Sequence, residues 1–327
     1  WRGGELDDFE LTLEYRIESG NSGIQYRSFT VPEVGKWSVG GYQADLEAGD
    51  TWSGILYGER YRDILAKRGE KTVIGADHKP RIVGSVGDAE ALGAKIRKGE
   101  WNRYRIVARG FQFQHYINDT LMIDVVDEDK EMRRRSGILA LQLHQGPPMK
   151  GQFREIRLKR LPIQGGKKGV FIAGKPSHGY MQHEHRAGCM LLAASLHEQM
   201  PEMVTAVYTN GWPADSTALD NADTIIMYCD GGKGHYVNAH LEEVDALMKK
   251  GVGMVCIHYG VEVPQGDAGD RFLEWIGGYF EAFWSVNPHW TADIGKFPEH
   301  PVARGVKPFT IHDEWYYHMR FRPEMSG

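Results

Sequence analysis

The pattern of apolar residues changes near Pro162, and this change limits the folds open to the chain. Before it, short runs alternate apolar and polar residues between Gly, Asn and Asp, which is typical of half-buried antiparallel strands. After it, continuous apolar runs such as 169–174 alternate with helical stretches, which predicts a parallel, doubly wound sheet. At 327 residues the chain is also too long for one core in most folds. We therefore predict two domains.

We expect an all-β antiparallel sandwich over residues 1–161, a linker at 162–168 and an α/β domain over 169–327. The predicted strands of the first domain are 9–18, 23–28, 42–47, 54–57, 101–109, 111–118, 121–126, 137–144 and 151–161. Residues 61–100 are charged and contain glycine, so we expect a long loop there. In the second domain the predicted strands are 169–174, 204–208, 224–229 and 253–258, with helices near 185–199, 240–250 and 270–280. We expect this second fold to be cut short at Gly327.

Charge and cysteine content exclude several classes of protein. The net charge is −5, and charges of both signs are scattered, so neither a nucleic-acid groove nor a membrane-binding patch is indicated. The three cysteines, Cys189, Cys229 and Cys256, lie in apolar or helical runs, which is typical of free buried thiols. No stretch of about 18 apolar residues is present, so we expect no transmembrane helix.

The run 42–47 has an unusual polar face. Tyr42, Ala44 and Leu46 point to one side of the predicted strand, and Gln43, Asp45 and Glu47 point to the other. Like charges on one face repel, and they are tolerated best when a cation or a polyhydroxyl ligand lies between them. The alternative is an ordinary solvated sheet face.

Three other predicted strands also carry hydrogen-bonding side chains on one face. The first has Gln25 and Arg27, and the second has Tyr57 and Glu59. In the third, Leu139, Leu141 and Leu143 form the apolar face, opposite Gln142 and His144. These strands together predict a sheet face that binds a polar ligand.

Six segments are similar to the 3-keto-disaccharide hydrolase domain family. They are Asn-Ser-Gly-Ile-Gln-Tyr-Arg (21–27), Gly-Tyr-Gln-Ala-Asp (41–45), Gly-Ile-Leu-Tyr-Gly (54–58), Trp-Asn-Arg-Tyr-Arg-Ile (101–106), Leu-Gln-Leu-His-Gln-Gly (141–146) and Phe-Arg-Glu-Ile-Arg-Leu-Lys (153–159). The resemblance spans roughly residues 1–161 and implies a concanavalin-like jelly-roll sandwich. The substrates it implies are sugars whose C3 hydroxyl has been oxidised to a ketone. It also implies a start upstream of Trp1 and a periplasmic or extracytoplasmic location, although free thiols favour the cytoplasm.

The implied chemistry needs a base, a group that stabilises an enolate and a proton donor. A C3 ketone acidifies the C2–H, so a base removes that proton, the C1 glycosidic oxygen leaves and water adds to the enone. The catalytic candidates are Asp45, His144, Glu47 and Tyr57, and the substrate-binding candidates are Gln25, Arg27, Gln43 and Gln142. A divalent metal on Asp45, Glu47 and His144 could hold the ketone oxygen. The sequence leaves open which group is the base, and we expect no nucleotide or organic cofactor.

The second predicted domain is rich in histidine, since 11 of the 14 histidines follow Leu161. Three predicted strands end in His or carboxylate residues, and a doubly wound sheet places ligands at such ends. The candidates are His178, His183, His185, Asp230, His235, His258 and Glu262. This composition indicates a metal or polyol site, although the spacing matches no compact zinc motif. The alternative is a set of unrelated surface histidines.

The segment 253–260 occupies the place of a nucleophile elbow in glutamine amidotransferase-like folds. An elbow needs small residues two positions before and after its nucleophile. Cys256 has Met254 and His258 at these positions. We therefore do not expect amidotransferase chemistry. Segments 171–179, 227–232, 256–260 and 312–317 resemble the trehalose-utilisation (ThuA-like) family over about 167–327. That resemblance implies an amidotransferase-like, flavodoxin-type fold without the cysteine, linked to sugar catabolism.

We therefore expect an enzyme that cleaves 3-keto-glycosides or 3-keto-disaccharides. The alternative is a non-catalytic carbohydrate-binding sandwich fused to a sugar-binding α/β domain, and a third interpretation makes the ThuA-like half the catalyst. The expected partner is a carbohydrate, and a homo-oligomer is left open.

Overall fold

The chain, described over residues 4–325 in a computed structural model, divides into two compact units. The first unit is Trp1–Val170, Ala193–Ala206 and Pro213–Asp223, and the second is Phe171–Leu192, Val207–Trp212 and Thr224–Gly327. The domain limits drawn from the sequence stay a prediction.

The first unit is mainly β-structure. Its strands are β1 (Phe9–Ser19), β2 (Asn21–Thr30), β3 (Val39–Glu47), β4 (Leu56–Glu59), β5 (Asp63–Ala66), β6 (Glu70–Ile74), β7 (Pro80–Ser85), β8 (Asn102–Arg109), β9 (Gln112–Ile117), β10 (Thr120–Asp127), β11 (Ile138–Leu141) and β12 (Lys150–Arg160). A short helix, α1 (Ala89–Gly93), lies between β7 and β8. A seven-stranded sheet has the order β12-β1-β8-β9-β10-β6-β7, and a five-stranded sheet has the order β11-β2-β3-β4-β5.

Both sheets of the first unit contribute to one hydrophobic core. Leu11 and Phe113 come from the larger sheet, and Tyr42, Ala44 and Leu46 come from the smaller one. All five side chains are buried, so the apolar face predicted for 42–47 is confirmed. The pairings are antiparallel except between β6 and β10. The predicted antiparallel β-sandwich agrees with this architecture.

The prediction of a long loop over residues 61–100 is wrong, because this segment contains β5, β6, β7 and α1. Every residue of β7 is exposed, so it lacks the alternation that marks a half-buried strand. The helix α1 is only five residues long and begins at Asp88, whose side chain accepts hydrogen bonds from the N–H groups of Glu90 and Ala91. Short or fully exposed elements carry little periodic signal.

A bulge in β2 reverses the side predicted for Arg27. The pairing of β2 with β3 shifts register between Tyr26 and Phe29, and Arg27 has a φ of 44°. An extra residue in one strand turns the following side chains to the opposite face. Arg27 is therefore fully buried, with its guanidinium 2.9 Å from Asp8 Oδ1 and donating to the carbonyl oxygens of Asp7 and Gly110.

The prediction that Leu139, Leu141 and Leu143 form one apolar face is also wrong, except for Leu139. Strand β11 ends at Leu141, and its pairing with β2 shifts register between Ile138 and Ala140. Leu139 is buried, whereas Leu141 is 41% exposed and Leu143 is 84% exposed. Residues 142–144 form a loop after the strand, which frees their side chains from strand alternation.

The later part of the chain alternates strands and helices as predicted. The strands are β13 (Lys167–Ala173), β14 (Met203–Tyr208), β15 (Thr224–Tyr228) and β16 (Gly253–Ile257), and the helices are α2 (His185–Gln199), α3 (Leu241–Lys249) and α4 (Asp267–Ile276). The four strands form one sheet in the order β14-β13-β15-β16, in which β15 and β16 run parallel. Strands β17 (Gly278–Tyr279) and β20 (Arg320–Phe321) pair with each other, as do β18 (His289–Ile294) and β19 (Phe309–Glu314).

Among the described residues, no helix is both long and apolar enough to cross a bilayer. Cys189, Cys229 and Cys256 are all free thiols. Cys189 and Cys229 are buried, as predicted, whereas Cys256 is half-buried. Burial raises the pKa of Cys189 to about 11 and that of Cys229 to about 12, and it also raises the pKa of Cys256, so these side chains are poor nucleophiles at neutral pH.

We predict that Arg27→Ala destabilises the first unit by about 3–5 kcal/mol, because it removes the nearer cation of the buried Asp8 carboxylate and leaves Arg135 at 3.9 Å. Urea denaturation followed by circular dichroism measures the free energy of unfolding.

The matched control is Arg103→Ala. The Arg103 side chain is 53% exposed and lies 3.6 Å from Asp119, so its removal is expected to change the free energy by less than about 1 kcal/mol. Equal effects of the two substitutions would contradict the importance of the buried pair.

Candidate functional site

A cavity on the five-stranded sheet collects many of the predicted site residues. Its volume is about 410 Å³, and its lining residues are Asn21, Gln43, Asp45, Trp52, Tyr57, Glu59, Ile64, Gln142 and His144. A second cavity, of about 590 Å³, shares Glu59, Gln142 and His144 with the first and also has Gln25 in its wall. We call the first of these the β3–β4 cavity.

A chain of hydrogen bonds leads along the polar face of the sheet to Asp45. Ser28 Oγ donates to Gln25 Oε1 at 2.8 Å, Gln25 Nε2 donates to Gln43 Oε1 at 2.5 Å, and Gln43 Nε2 donates to Asp45 Oδ1 at 2.5 Å. Because each amide uses its oxygen as acceptor and its nitrogen as donor, the orientation of every group in the chain is fixed. The amide chain therefore holds the Asp45 carboxyl group in one position.

Gly23 makes room for this arrangement. It pairs with Asp45 across β2 and β3. A Cβ atom at position 23 would lie 2.5 Å from the Gln43 side chain, closer than packing allows. Only glycine fits there without moving the amide that donates to Asp45.

Asp45 lies in an environment that raises the pKa of its carboxyl group towards neutral pH. Its side chain is buried, and burial raises its pKa to about 7. The nearby carboxylates of Glu59 and Glu47 also raise the pKa, while the hydrogen bond from Gln43 opposes the shift. A carboxyl group with a pKa near 7 exchanges protons efficiently at physiological pH.

Three further cavity residues supply hydrogen-bonding groups. Burial and the carboxylates of Asp63 and Glu59 raise the pKa of Tyr57, so its hydroxyl stays protonated and can donate. Gln142 Nε2 donates to Glu59 at 3.3 Å, and Gln142 Oε1 is buried without a hydrogen-bond partner within residues 4–325. His144 is exposed in the loop after β11. Five residues predicted from the sequence thus lie around one cavity: Asp45, Tyr57, Gln43, Gln142 and His144. Their roles remain a prediction.

Two predicted site residues lie elsewhere. Arg27 is buried beside Asp8 and does not line either cavity, so its assignment to substrate binding is corrected. Glu47 Oε1 accepts hydrogen bonds from the backbone N–H groups of Thr51 and Trp52, which holds the turn after β3. Within the described part of the chain, Asp45, Glu47 and His144 do not form a group of ligand atoms that could hold a metal.

The sequence analysis left Trp52, Glu59 and Asn21 out of the site. Trp52 is 40% exposed in the cavity wall, where an indole ring can stack on a sugar. Glu59 shares a strand face with Tyr57, so its place was visible from alternation. Trp52 and Asn21 gave no such signal, because one lies in a turn and the other opens a strand.

In the second unit, histidines from separate segments gather around Asp230. The ligand atoms of His178, His183 and Asp230 all lie within 4.8 Å of one another. His185 Nε2 lies 3.7 Å from Asp230 Oδ1, and His258 Nε2 lies 3.1 Å from His183 Nε2. Within residues 4–325 this is the one group of three side chains that could hold a metal ion. We call His178, His183, His185 and Asp230 the Asp230 cluster.

The backbone of this region is strained. His178, His183 and His258 have φ values of 58°, 47° and 49°, in the left-handed region that non-glycine residues rarely adopt. His258 directly follows β16, at the elbow position that the sequence indicated. Strain of this kind costs of the order of 1–3 kcal/mol per residue and concentrates at functional sites.

His235 and Glu262 do not join the Asp230 cluster. His235 is buried, its Nδ1 accepts from the Val237 N–H, and its Nε2 lies 3.0 Å from the Gly260 carbonyl oxygen. Burial lowers the pKa of His235 to about 4, so it is a neutral structural residue. Burial raises the pKa of Glu262, which lies outside the metal-compatible group of the described residues. Glu314, in contrast, was missed: its Oε2 lies 3.7 Å from His258 Nε2.

Two family models match the chain. Residues 1–159 match the 3-keto-alpha-glucoside-1,2-lyase-like domain, and residues 170–326 match the trehalose utilisation (ThuA) family. We refer to these two matched segments as the 3-keto-lyase-like domain and the ThuA domain. The arrangement inferred from the sequence is thus confirmed, and both families are related to carbohydrate metabolism. No curated protein matches the chain.

Several solved structures are similar to about half of the chain at a low level. The carbohydrate-binding module CBM66 from Bacillus subtilis is 17% identical, with 47% of this chain and 76% of that chain covered and a TM-score of 0.32. A protein from Parabacteroides distasonis described as a glycosyl hydrolase is 19% identical, with coverages of 48% and 80% and a TM-score of 0.30. A ThuA-like protein from Bacteroides uniformis is 17% identical, with coverages of 48% and 62% and a TM-score of 0.32. Likenesses at these TM-scores carry no argument about function.

We predict that Asp45 makes the stability of the 3-keto-lyase-like domain depend on pH. The pKa of Asp45 is about 7 in the folded protein and has an ordinary value of 3.8 otherwise. Between these values the folded state holds a proton that the unfolded state has released, so stability falls as the pH rises from about 4 to about 7. Asp45→Asn removes this effect. The free energy of unfolding of the variant minus that of the wild type should therefore increase by about 4 kcal/mol as the pH rises from about 4 to about 7. Urea denaturation at a series of pH values measures it.

The control substitution is Asp220→Asn at an exposed position. We expect it to follow the wild-type pH profile. A wild-type profile that is parallel to that of Asp45→Asn from pH 4 to 8 would show that Asp45 ionises normally.

Proposed function

We propose that the 3-keto-lyase-like domain cleaves 3-keto-glycosides in the β3–β4 cavity, with Asp45 as the proton-transferring group. The observation that carries this proposal is a carboxyl group, that of Asp45, buried at the wall of a cavity and held by the Gln43 amide; this burial raises its pKa to about 7. A surface that only binds sugar has no need of a carboxyl group tuned in this way.

The first step is the removal of the C2 proton by the Asp45 carboxylate. The electron pair of the broken C–H bond moves towards C3, and negative charge develops on the ketone oxygen. Hydrogen-bond donors that face this oxygen stabilise the enolate. The exposed imidazole of His144 is the donor that we assign to this task.

The second step is the loss of the glycosidic oxygen from C1. The enolate electrons form the C1–C2 double bond while the C1–O bond breaks, and the leaving oxygen takes a proton. The Tyr57 hydroxyl is the proposed donor, since its raised pKa keeps it protonated and it lies in the same cavity as Asp45. Water then adds to the enone: its oxygen bonds to C1, the proton it loses returns to the Tyr57 oxygen, and the proton held by Asp45 returns to C2.

Trp52 and the amide groups position the sugar. The indole offers a flat apolar face to the sugar ring, and Gln142 Oε1 offers a free acceptor to a hydroxyl group. These groups alone also suit the alternative function, a carbohydrate-binding domain without turnover. The two functions differ in their need for an ionised Asp45.

We also propose the finer fold assignments that the sequence indicated. The strand order β14-β13-β15-β16 follows the start of the flavodoxin-type order, in which the second strand lies outside the first and the third lies on its other side. The two packed, mainly antiparallel sheets of the first unit support a concanavalin-like jelly roll.

We predict that Asp45→Asn lowers kcat on a chromogenic 3-keto-glucoside by about 10²–10⁴-fold, because an amide cannot accept the C2 proton. The wild-type rate should rise as the pH passes through about 7, where Asp45 ionises. Release of the chromophore by the full-length protein measures both effects.

The matched control is Asp124→Asn on β10, in the other sheet, which should keep the wild-type rate. Binding of the 3-keto-glucoside is measured in parallel by calorimetry. Tight binding without turnover by the wild-type protein would favour the carbohydrate-binding alternative, and an unchanged rate in Asp45→Asn would exclude Asp45 as the base.

A further inference from the structure

The distances from Asp230 to the histidines of the Asp230 cluster are long for hydrogen bonds; the short hydrogen bond to Asp230 Oδ1 comes from Ser177 Oγ at 2.8 Å, and this hydroxyl also lies 2.9 Å from His178 Nδ1. Asp230 Oδ1 lies 3.5 Å from His178 Nδ1, 3.4 Å from His183 Nδ1 and 3.7 Å from His185 Nε2. Hydrogen bonds between such atoms are usually about 2.7–3.2 Å long. Two ligands of a tetrahedral ion at about 2.0–2.2 Å stand about 3.3–3.6 Å apart. The observed separations are those of ligands that share an ion.

His185 provides an independent sign that a cation belongs here. It is buried, and its Nδ1 lies 3.0 Å from the Lys175 carbonyl oxygen, which can only accept. The proton of the neutral ring is therefore on Nδ1, assigned from this partner, and Nε2 carries a lone pair. His185 Nε2 is buried without a hydrogen-bond partner among residues 4–325, and it faces the lone pairs of Asp230. Two such acceptors repel each other unless a proton or a metal cation lies between them.

His258 lies where a group that orients a metal ligand is needed. Its Nε2 is 3.1 Å from His183 Nε2, so one ring donates to the other. When His183 Nδ1 binds an ion, its Nε2–H is free to donate to His258. Metal-binding histidines usually donate their second N–H to such a partner, which fixes the tautomer and the ring orientation. His258 is thus a positioning residue rather than a ligand.

We propose that the ThuA domain binds a divalent first-row transition-metal ion, such as Zn²⁺, through His178, His183 and Asp230, whose ligand atoms lie within 4.8 Å of one another, with His185 beside them. Imidazole nitrogen favours these ions over Mg²⁺ and Ca²⁺, which prefer oxygen ligands. The side chains of His178 and Asp230 are 42% and 33% exposed, so the ion is open to solvent on one side. An open position is the property of catalytic rather than structural zinc sites. This site is separate from the cavity residues of the 3-keto-lyase-like domain.

Metal titration of the full-length protein tests this site. The tag-free protein is stripped with a chelator and titrated with ZnCl₂ by calorimetry, and bound zinc is counted by mass spectrometry after dialysis. We expect one Zn²⁺ per chain. Asp230→Asn and His183→Asn should each weaken binding by about 100-fold or more, and His258→Asn by about 10–100-fold. Asparagine is chosen for the histidines because it tolerates their left-handed backbone.

The matched control is His197→Ala, which removes an exposed histidine of α2 outside the Asp230 cluster and should bind Zn²⁺ like the wild type. A rise in Tm on adding Zn²⁺, present in the wild type and absent in Asp230→Asn, separates lost binding from lost folding. The proposal is overturned if the wild type binds no Zn²⁺, if binding survives in Asp230→Asn and His183→Asn, or if MgCl₂ binds equally well. Each of these results would make the cluster a hydrogen-bonded network around a protonated histidine.

Discussion

The hydrogen bond from Gln43 to Asp45 is the interaction on which the β3–β4 cavity depends. A carboxyl group buried on a sheet face is costly unless its partners are fixed, and here a chain of amides fixes them. The same burial raises the pKa of Asp45 towards neutrality. The environment that raises the pKa of Asp45 is therefore the same one that holds its side chain in place. Gly23 is part of that environment, since a larger residue would displace the Gln43 amide.

Two of the register shifts in the five-stranded sheet, those in β2 and β11, decide which polar residues reach the cavity. The shift in β2 turns Arg27 inward to Asp8, where it stabilises the fold instead of binding a ligand. The shift in β11 is followed by a strand end, so Gln142 and His144 extend from a loop beside the cavity. Bulges often aim side chains at functional sites in this way. The sheet thus assigns structural and functional roles to residues that look equivalent in the sequence.

The ThuA domain carries its polar groups differently. Its histidines come from the loop after β13, the start of α2 and the end of β16, and three of them occupy strained backbone conformations. Such strain persists only where the surrounding structure enforces it. The two domains thus build their candidate sites in different ways, one by amide ordering along strands and the other by loops that converge on a single carboxylate.

The sequence by itself determined the sandwich, the strand–helix alternation and the two families, because periodicity and local motifs are properties of neighbouring residues. It also indicated Asp45, Gln43 and Tyr57, since strict alternation along β3 and β4 places them on one face. Only the tertiary structure showed which groups Arg27, Glu47 and His235 contact. These contacts depend on a bulge, a turn and a backbone carbonyl oxygen, which no periodic pattern reveals. It also brought Trp52 into the cavity wall and His185 beside Asp230. The physical reason is that burial and charge depend on residues distant in the chain, whereas periodicity depends on near ones.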